Sequence, residues 1–72
     1  MAKRGRYSNK TKEQADLFIN MMDGNIDDAL GVAAGRTDMF WDEVENGERD
    51  EEDAVEATTL ENYLSYLSSK IK

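Results

Sequence analysis

Apolar residues recur with helical spacing along most of the chain. The first stretch has them at positions i, i+3, i+4 and i+7, occupied by Ala15, Phe18, Ile19 and Met22. Thr11 and Gln14 before this stretch form a capping-box pattern, and Gly24 after it is a typical helix stop. The pattern therefore predicts a first helix over residues 12–23.

Three further helices are predicted, over residues 25–34, 37–46 and 50–71. Asn25 and Thr37 are suited to cap the first two of these, and Gly35 and Gly47 are suited to end them. The last helix has an apolar stripe formed by Leu60, Tyr63, Leu64, Leu67 and Ile71. No stretch alternates as a strand would, so we expect an all-α fold of about four helices in a single domain over residues 12–72.

Charge divides the chain into two unlike parts. Residues 1–12 carry five basic and no acidic side chains, whereas residues 13–72 carry four basic and sixteen acidic ones. Because the start has no apolar repeat, we expect a flexible basic arm over residues 1–11, serving either as a contact arm or as a solubilising tail. Its candidate partner-binding residues are Lys3, Arg4, Gly5, Arg6, Tyr7, Ser8, Asn9 and Lys10.

The composition excludes several function classes. The 72 residues contain no cysteine and no histidine, which removes disulfides, thiolate metal sites, the usual zinc ligand and the usual general base. No apolar run approaches the roughly 20 residues of a membrane span, and the amino terminus lacks the apolar stretch of a signal peptide. We therefore expect a monomeric, cytoplasmic protein that is not an enzyme and needs no metal or cofactor.

Residues 24–44 are predicted to form two short helices joined by a glycine turn, the arrangement of a helix-turn-helix. This segment resembles the helix-turn-helix of small terminase-like packaging proteins and regulatory proteins of phages. The matching residues are Gly24, Asn25, Ala29, Ala33, Ala34, Gly35, Thr37, Trp41 and Val44. The resemblance covers about a third of the chain. It implies a helix-turn-helix core and, by analogy, DNA binding or DNA packaging.

Two departures from that family pattern argue against DNA reading. Arg36 stands where such motifs place an Ile or Val that enters the core. The helix that would enter a major groove offers outward carboxylates, namely Asp38, Asp42, Glu43 and Glu45. Phosphates repel carboxylates, and base edges are read chiefly by Arg, Lys, Asn and Gln. These four acids are instead a solvated face, a docking face for a basic protein surface, or a mimic of DNA phosphates.

The basic arm carries a second resemblance. Its residues Lys3-Arg4-Gly5-Arg6-Tyr7-Ser8-Asn9, together with the length of the acidic helical body, resemble the small RNA-polymerase-binding antitermination regulators of lytic Xanthomonas phages. That resemblance implies binding to bacterial RNA polymerase, inhibition of initiation at host promoters and read-through of terminators. It makes a host protein the expected partner, with a possible nucleic-acid contact through the arm.

The leading hypothesis is a small phage-type transcription regulator that binds host RNA polymerase by protein–protein contacts. One alternative is a helix-turn-helix protein that binds or packages DNA, with its arm in a minor groove. Another is an acidic DNA mimic that inhibits a nucleic-acid enzyme. Binding to duplex DNA separates the first from the second, and competition with DNA separates the first from the third.

Overall fold

Three α-helices account for most of the described chain. The computed structural model describes residues 7–70, and within them it has no β-strand. α1 spans Asn9–Met21, α2 spans Ile26–Glu45 and α3 spans Glu51–Lys70. The predicted all-α class is confirmed, but the described residues form three helices instead of four.

The first helix begins one turn earlier than the sequence predicts. Ser8 is its N-cap, and the Ser8 hydroxyl oxygen accepts a hydrogen bond from the backbone N–H of Thr11 at 3.2 Å. The capping role predicted for Thr11 is therefore wrong. Residues 9–11 belong to α1 and not to an arm, and residues 1–6 of the predicted arm lie outside the described residues.

Two predicted glycine stops are confirmed. Gly24 has a φ of +84° and Gly47 has a φ of +77°. Residues with a Cβ rarely adopt this left-handed backbone conformation. The N–H of Gly24 donates to the carbonyl of Ile19 at 2.8 Å, and the N–H of Glu48 donates to that of Glu43 at 2.8 Å. Both are the six-to-one bonds of a Schellman motif, which satisfy carbonyls at the helix ends.

The predicted break at Gly35 does not occur. Asn25 caps α2 as expected, because its Oδ1 accepts from the N–H of Asp28 at 3.0 Å, but the helix then continues through Gly35 to Glu45. Thr37 lies inside it and is not an N-cap. The predicted helix-turn-helix over residues 24–44 is thus replaced by one continuous helix.

α2 and α3 form an antiparallel hairpin with an interface of small residues. Ala29 and Ala33 on α2 and Ala54 and Ala57 on α3 are fully buried. Because alanine has only a methyl group, such an interface lets two helix backbones approach closely. Fewer large side chains are then needed to fill the core.

α1 closes the core from one side. α1 contributes the buried Ala15, which packs with Leu60 and Leu64, the largest fully buried side chains. Removing either leucine side chain would cost about 2–5 kcal/mol of the free energy of unfolding. The half-buried apolar side chains around this core are Phe18, Ile19, Met22, Leu30, Tyr63 and Leu67. The apolar stripe predicted for α1 is confirmed by this packing.

Candidate interaction surfaces

Three of the four predicted acidic residues share one exposed face of α2. Asp38, Asp42 and Glu45 are spaced by four and then three residues, so their side chains lie on the same side of the helix. Together with Met39 and Trp41 they line a shallow open groove, here called the acidic groove. The groove combines three carboxylates with two large apolar side chains.

The Trp41 side chain is fixed by a hydrogen bond across the helix hairpin. Its indole Nε1–H donates to the Thr58 hydroxyl oxygen at 2.8 Å, and the Thr58 hydroxyl donates to the carbonyl of Ala54 at 2.9 Å. Trp41 is half-buried, whereas Met39 is 51% exposed. The bond anchors Trp41 on α3, yet part of the indole still faces the groove.

Glu43 does not belong to the acidic groove. Its carboxylate accepts a hydrogen bond from Nε of Arg49, and that bond is the main cause that raises the pKa of Arg49. Arg49 also pairs with Asp53 at 3.4 Å. The predicted set of four acids therefore divides into three groove residues and one that holds the α2–α3 turn.

Two arginines stack on the ring of Phe40. The guanidinium carbon of Arg49 lies 3.8 Å from the ring centroid, and that of Arg36 lies 4.7 Å from it. Arg36 also lies 5.5 Å from the Phe18 centroid, so it links α2 to α1. This explains how a charged side chain is accommodated at the position where the resembled motif has an apolar one.

The described residues of the predicted arm are held against the helices. Lys10 Nζ lies 3.3 Å from a carboxylate oxygen of Glu56, Ser8 caps α1, and Asn9 is exposed in its first turn. Lys3, Arg4, Gly5 and Arg6 lie outside the described residues. In the described part of the predicted arm, Ser8 is therefore a helix cap, and Asn9 and Lys10 belong to a helix.

Tyr7 belongs to a cluster of aromatic rings that the sequence does not predict. Its ring centroid lies 4.8 Å from that of Tyr63 and 6.5 Å from that of Tyr66, and the two α3 rings are 6.4 Å apart. Lys70 Nζ lies 5.4 Å from the Tyr66 centroid. These four residues are called the tyrosine cluster. The i, i+3 spacing of Tyr63 and Tyr66 was the available signal, but their contact with Tyr7 depends on tertiary packing.

Among residues 7–70 no group of three or more Asp, Glu, His or Cys side chains is arranged to hold a metal ion. In the same part of the chain, no helix has the length and apolar character required to cross a membrane.

Comparison of the chain with protein-family models, curated proteins and solved structures finds no match.

Proposed function

We propose that this chain is a small non-enzymatic regulator that docks by its acidic groove on a basic surface of a nucleic-acid-processing machine. The most specific form of the proposal is binding to bacterial RNA polymerase, with inhibition of initiation or antitermination as the result. Proteins that handle DNA and RNA carry basic surfaces, which an acidic face complements.

The observation that carries the proposal is the composition of the acidic groove. Exposed carboxylates steer encounter with a basic partner, but they give little affinity alone. An aromatic ring already fixed by a hydrogen bond loses little conformational freedom on binding, and Trp is enriched among residues that dominate binding energy. Trp41 beside Asp38 and Asp42 supplies both components on one face.

The choice of RNA polymerase comes from the sequence of the first nine residues. Lys3, Arg4, Arg6 and Tyr7 carry the resemblance to polymerase-binding antitermination regulators. In this proposal the basic segment makes a second contact, on an acidic or RNA-lined part of the enzyme.

Binding to purified bacterial RNA polymerase tests the groove directly. The triple variant Asp38→Asn, Asp42→Asn, Glu45→Gln should bind about tenfold more weakly or worse, because three steering charges are lost. The matched control is Glu13→Gln, Asp16→Asn, Asp23→Asn, which removes the same charge from exposed positions at and just after α1. It should bind within about twofold of the parent.

A second variant tests the basic segment in the same assay. Arg4→Ala, Arg6→Ala, Tyr7→Ala should abolish polymerase binding, while circular dichroism shows unchanged helicity. Transcription in vitro should then lose both promoter inhibition and terminator read-through. Full binding by the groove variant would overturn the groove assignment, and full binding by the segment variant would overturn the second contact.

The strongly acidic middle of the chain favours a DNA mimic as the second candidate. Residues 13–61 contain sixteen acidic and two basic side chains. A mimic should compete with DNA for its target enzyme, and it should lose that competition on neutralising Asp42 and Glu45 but not on changing Arg4 or Arg6. Duplex DNA binding itself is disfavoured, so a gel shift at low salt should show no complex at micromolar protein.

A further inference from the structure

Acidic residues are absent from both ends of the chain. Residues 1–12 and 62–72 together carry seven of the nine lysines and arginines and all three tyrosines, and no aspartate or glutamate. The stretch between them holds all sixteen acids. The charge asymmetry therefore separates two terminal segments from the middle.

The fold joins these two segments at the tyrosine cluster. Tyr7 comes from the first, whereas Tyr63, Tyr66 and Lys70 come from the second. Tyr63 is half-buried against the core, but the Tyr66 side chain is 50% exposed. An accessible aromatic ring thus lies beside a lysine, in a sequence segment without acids. The fold brings Asp27 to this segment, where it accepts a hydrogen bond from Ser68 at 2.6 Å, two residues from Tyr66 and so on the opposite side of α3.

We propose that the tyrosine cluster binds single-stranded nucleic acid by stacking a base on Tyr66, with the adjoining phosphate attracted to Lys70. Single strands are bound without sequence preference by this combination of aromatic side chains and positive charge. The inference does not depend on the proposed docking of the acidic groove, which uses different residues. It shares Tyr7 with the proposed second contact on the polymerase, and its tests therefore change only Tyr66 and Lys70.

Ligand chemistry favours a single strand over other polyanions. Bases in a duplex are already stacked on each other, so a ring on the protein surface gains little from them, and a long duplex would also meet the sixteen acids of the middle segment. An acidic peptide would satisfy the lysine but would make no use of the exposed ring. A single-stranded ligand uses both.

Fluorescence anisotropy with labelled oligo-uridine and oligo-deoxythymidine of roughly ten nucleotides tests the proposal on the full chain. The parent should bind at micromolar concentrations in low salt. Tyr66→Ala should weaken binding about tenfold, and Tyr66→Phe should keep it within about twofold, because the ring is retained. Lys70→Gln should weaken binding and reduce the dependence of log affinity on log salt by about one.

Two controls separate stacking from general effects. Met39→Ala removes a side chain as exposed as Tyr66 from the acidic groove and should leave oligonucleotide affinity unchanged. Circular dichroism should show Tyr66→Ala to be folded, and the exposed Lys70→Gln gives an independent test if it is not. Equal affinity for RNA and DNA supports recognition through base and phosphate alone, and tighter RNA binding adds a contact to the 2′-hydroxyl.

Three results would overturn the proposal: no binding by the parent at low salt, equal binding by Tyr66→Ala, or duplex and polyglutamate competing as well as the single strand. Failure here would leave the groove assignment standing, because polymerase binding by the Tyr66→Ala variant is measured separately. Conversely, the groove variant should lose polymerase binding while its affinity for the oligonucleotides stays unchanged.

Discussion

Thr37 shows how one residue type can carry two different structural meanings. A threonine followed by an acid is typical of a helix start, and the sequence predicts a cap there. In the structure the Thr37 hydroxyl lies 3.0 Å from the carbonyl oxygen of Ala33 and 3.1 Å from that of Ala57 on α3. The side chain is only 8% exposed, so it links two helices from within the core.

Thr37→Asp distinguishes the two roles. Aspartate is at least as good an N-cap as threonine, so the variant would be neutral or stabilising if α2 started there. In the observed helix it places a carboxylate against two carbonyl oxygens in a buried site, and we expect a loss of more than about 2 kcal/mol of the free energy of unfolding. Urea denaturation followed by circular dichroism measures this, with the exposed Asp38→Asn as the control.

At the scale of elements, a glycine indicates a helix end only when the helical phase of the apolar residues around it also changes. Gly24 and Gly47 end helices as predicted, with positive φ at both. Gly35 does not, and the sequence contained the reason: apolar and small positions continue in one helical phase across it, at Ile26, Leu30, Ala33, Thr37, Phe40 and Val44. A real turn would have shifted that phase. The close packing of this face on α3 then outweighs the cost of a helical glycine.

Gly35→Ala tests this directly. A Cβ built on Gly35 meets no atom within 4 Å, and alanine is the better helix former, so the variant should gain about 0.5–1 kcal/mol of stability. A helix-turn-helix glycine would respond with a loss. Gly47→Ala is the matched control, and thermal unfolding should show it to be destabilised, because φ there is +77°.

The prediction of individual helices was more successful than that of their assembly. Capping by Asn25 and the apolar stripe of α1 were readable because both depend on neighbours within a few residues. The pairing of Glu43 with Arg49 and the meeting of Tyr7 with Tyr63 were not, because they depend on how the chain turns back on itself. The sequence predicts the acidic residues of the groove, but it does not predict that Met39 and Trp41 line the same groove.

At the scale of the whole molecule, uneven charge works against stability. The middle stretch carries sixteen acidic and two basic side chains, and the ion pair of Lys10 with Glu56 is on the surface. Repulsion among the acids is screened by salt, whereas little stability is lost when surface pairs are screened.

Raising the ionic strength should therefore stabilise the protein. We expect the free energy of unfolding to rise by about 1 kcal/mol between low salt and 0.5 M sodium chloride. For a domain of this size, that corresponds to a rise in Tm of roughly 4–8 °C. Differential scanning calorimetry at fixed pH gives the value. The triple groove variant should show a smaller rise than the parent, and a Tm that falls with salt would contradict the charge argument.

Trp41 also gives the protein an intrinsic optical probe. It is the only tryptophan in the chain, and its indole N–H is bonded across the α2–α3 hairpin while its ring lines the acidic groove. Its emission spectrum should shift to the red when the hairpin opens and change again when a partner covers the groove. Folding, and docking on a partner fragment without tryptophan, can thus be followed without a label, with excitation at a wavelength where the three tyrosines absorb little.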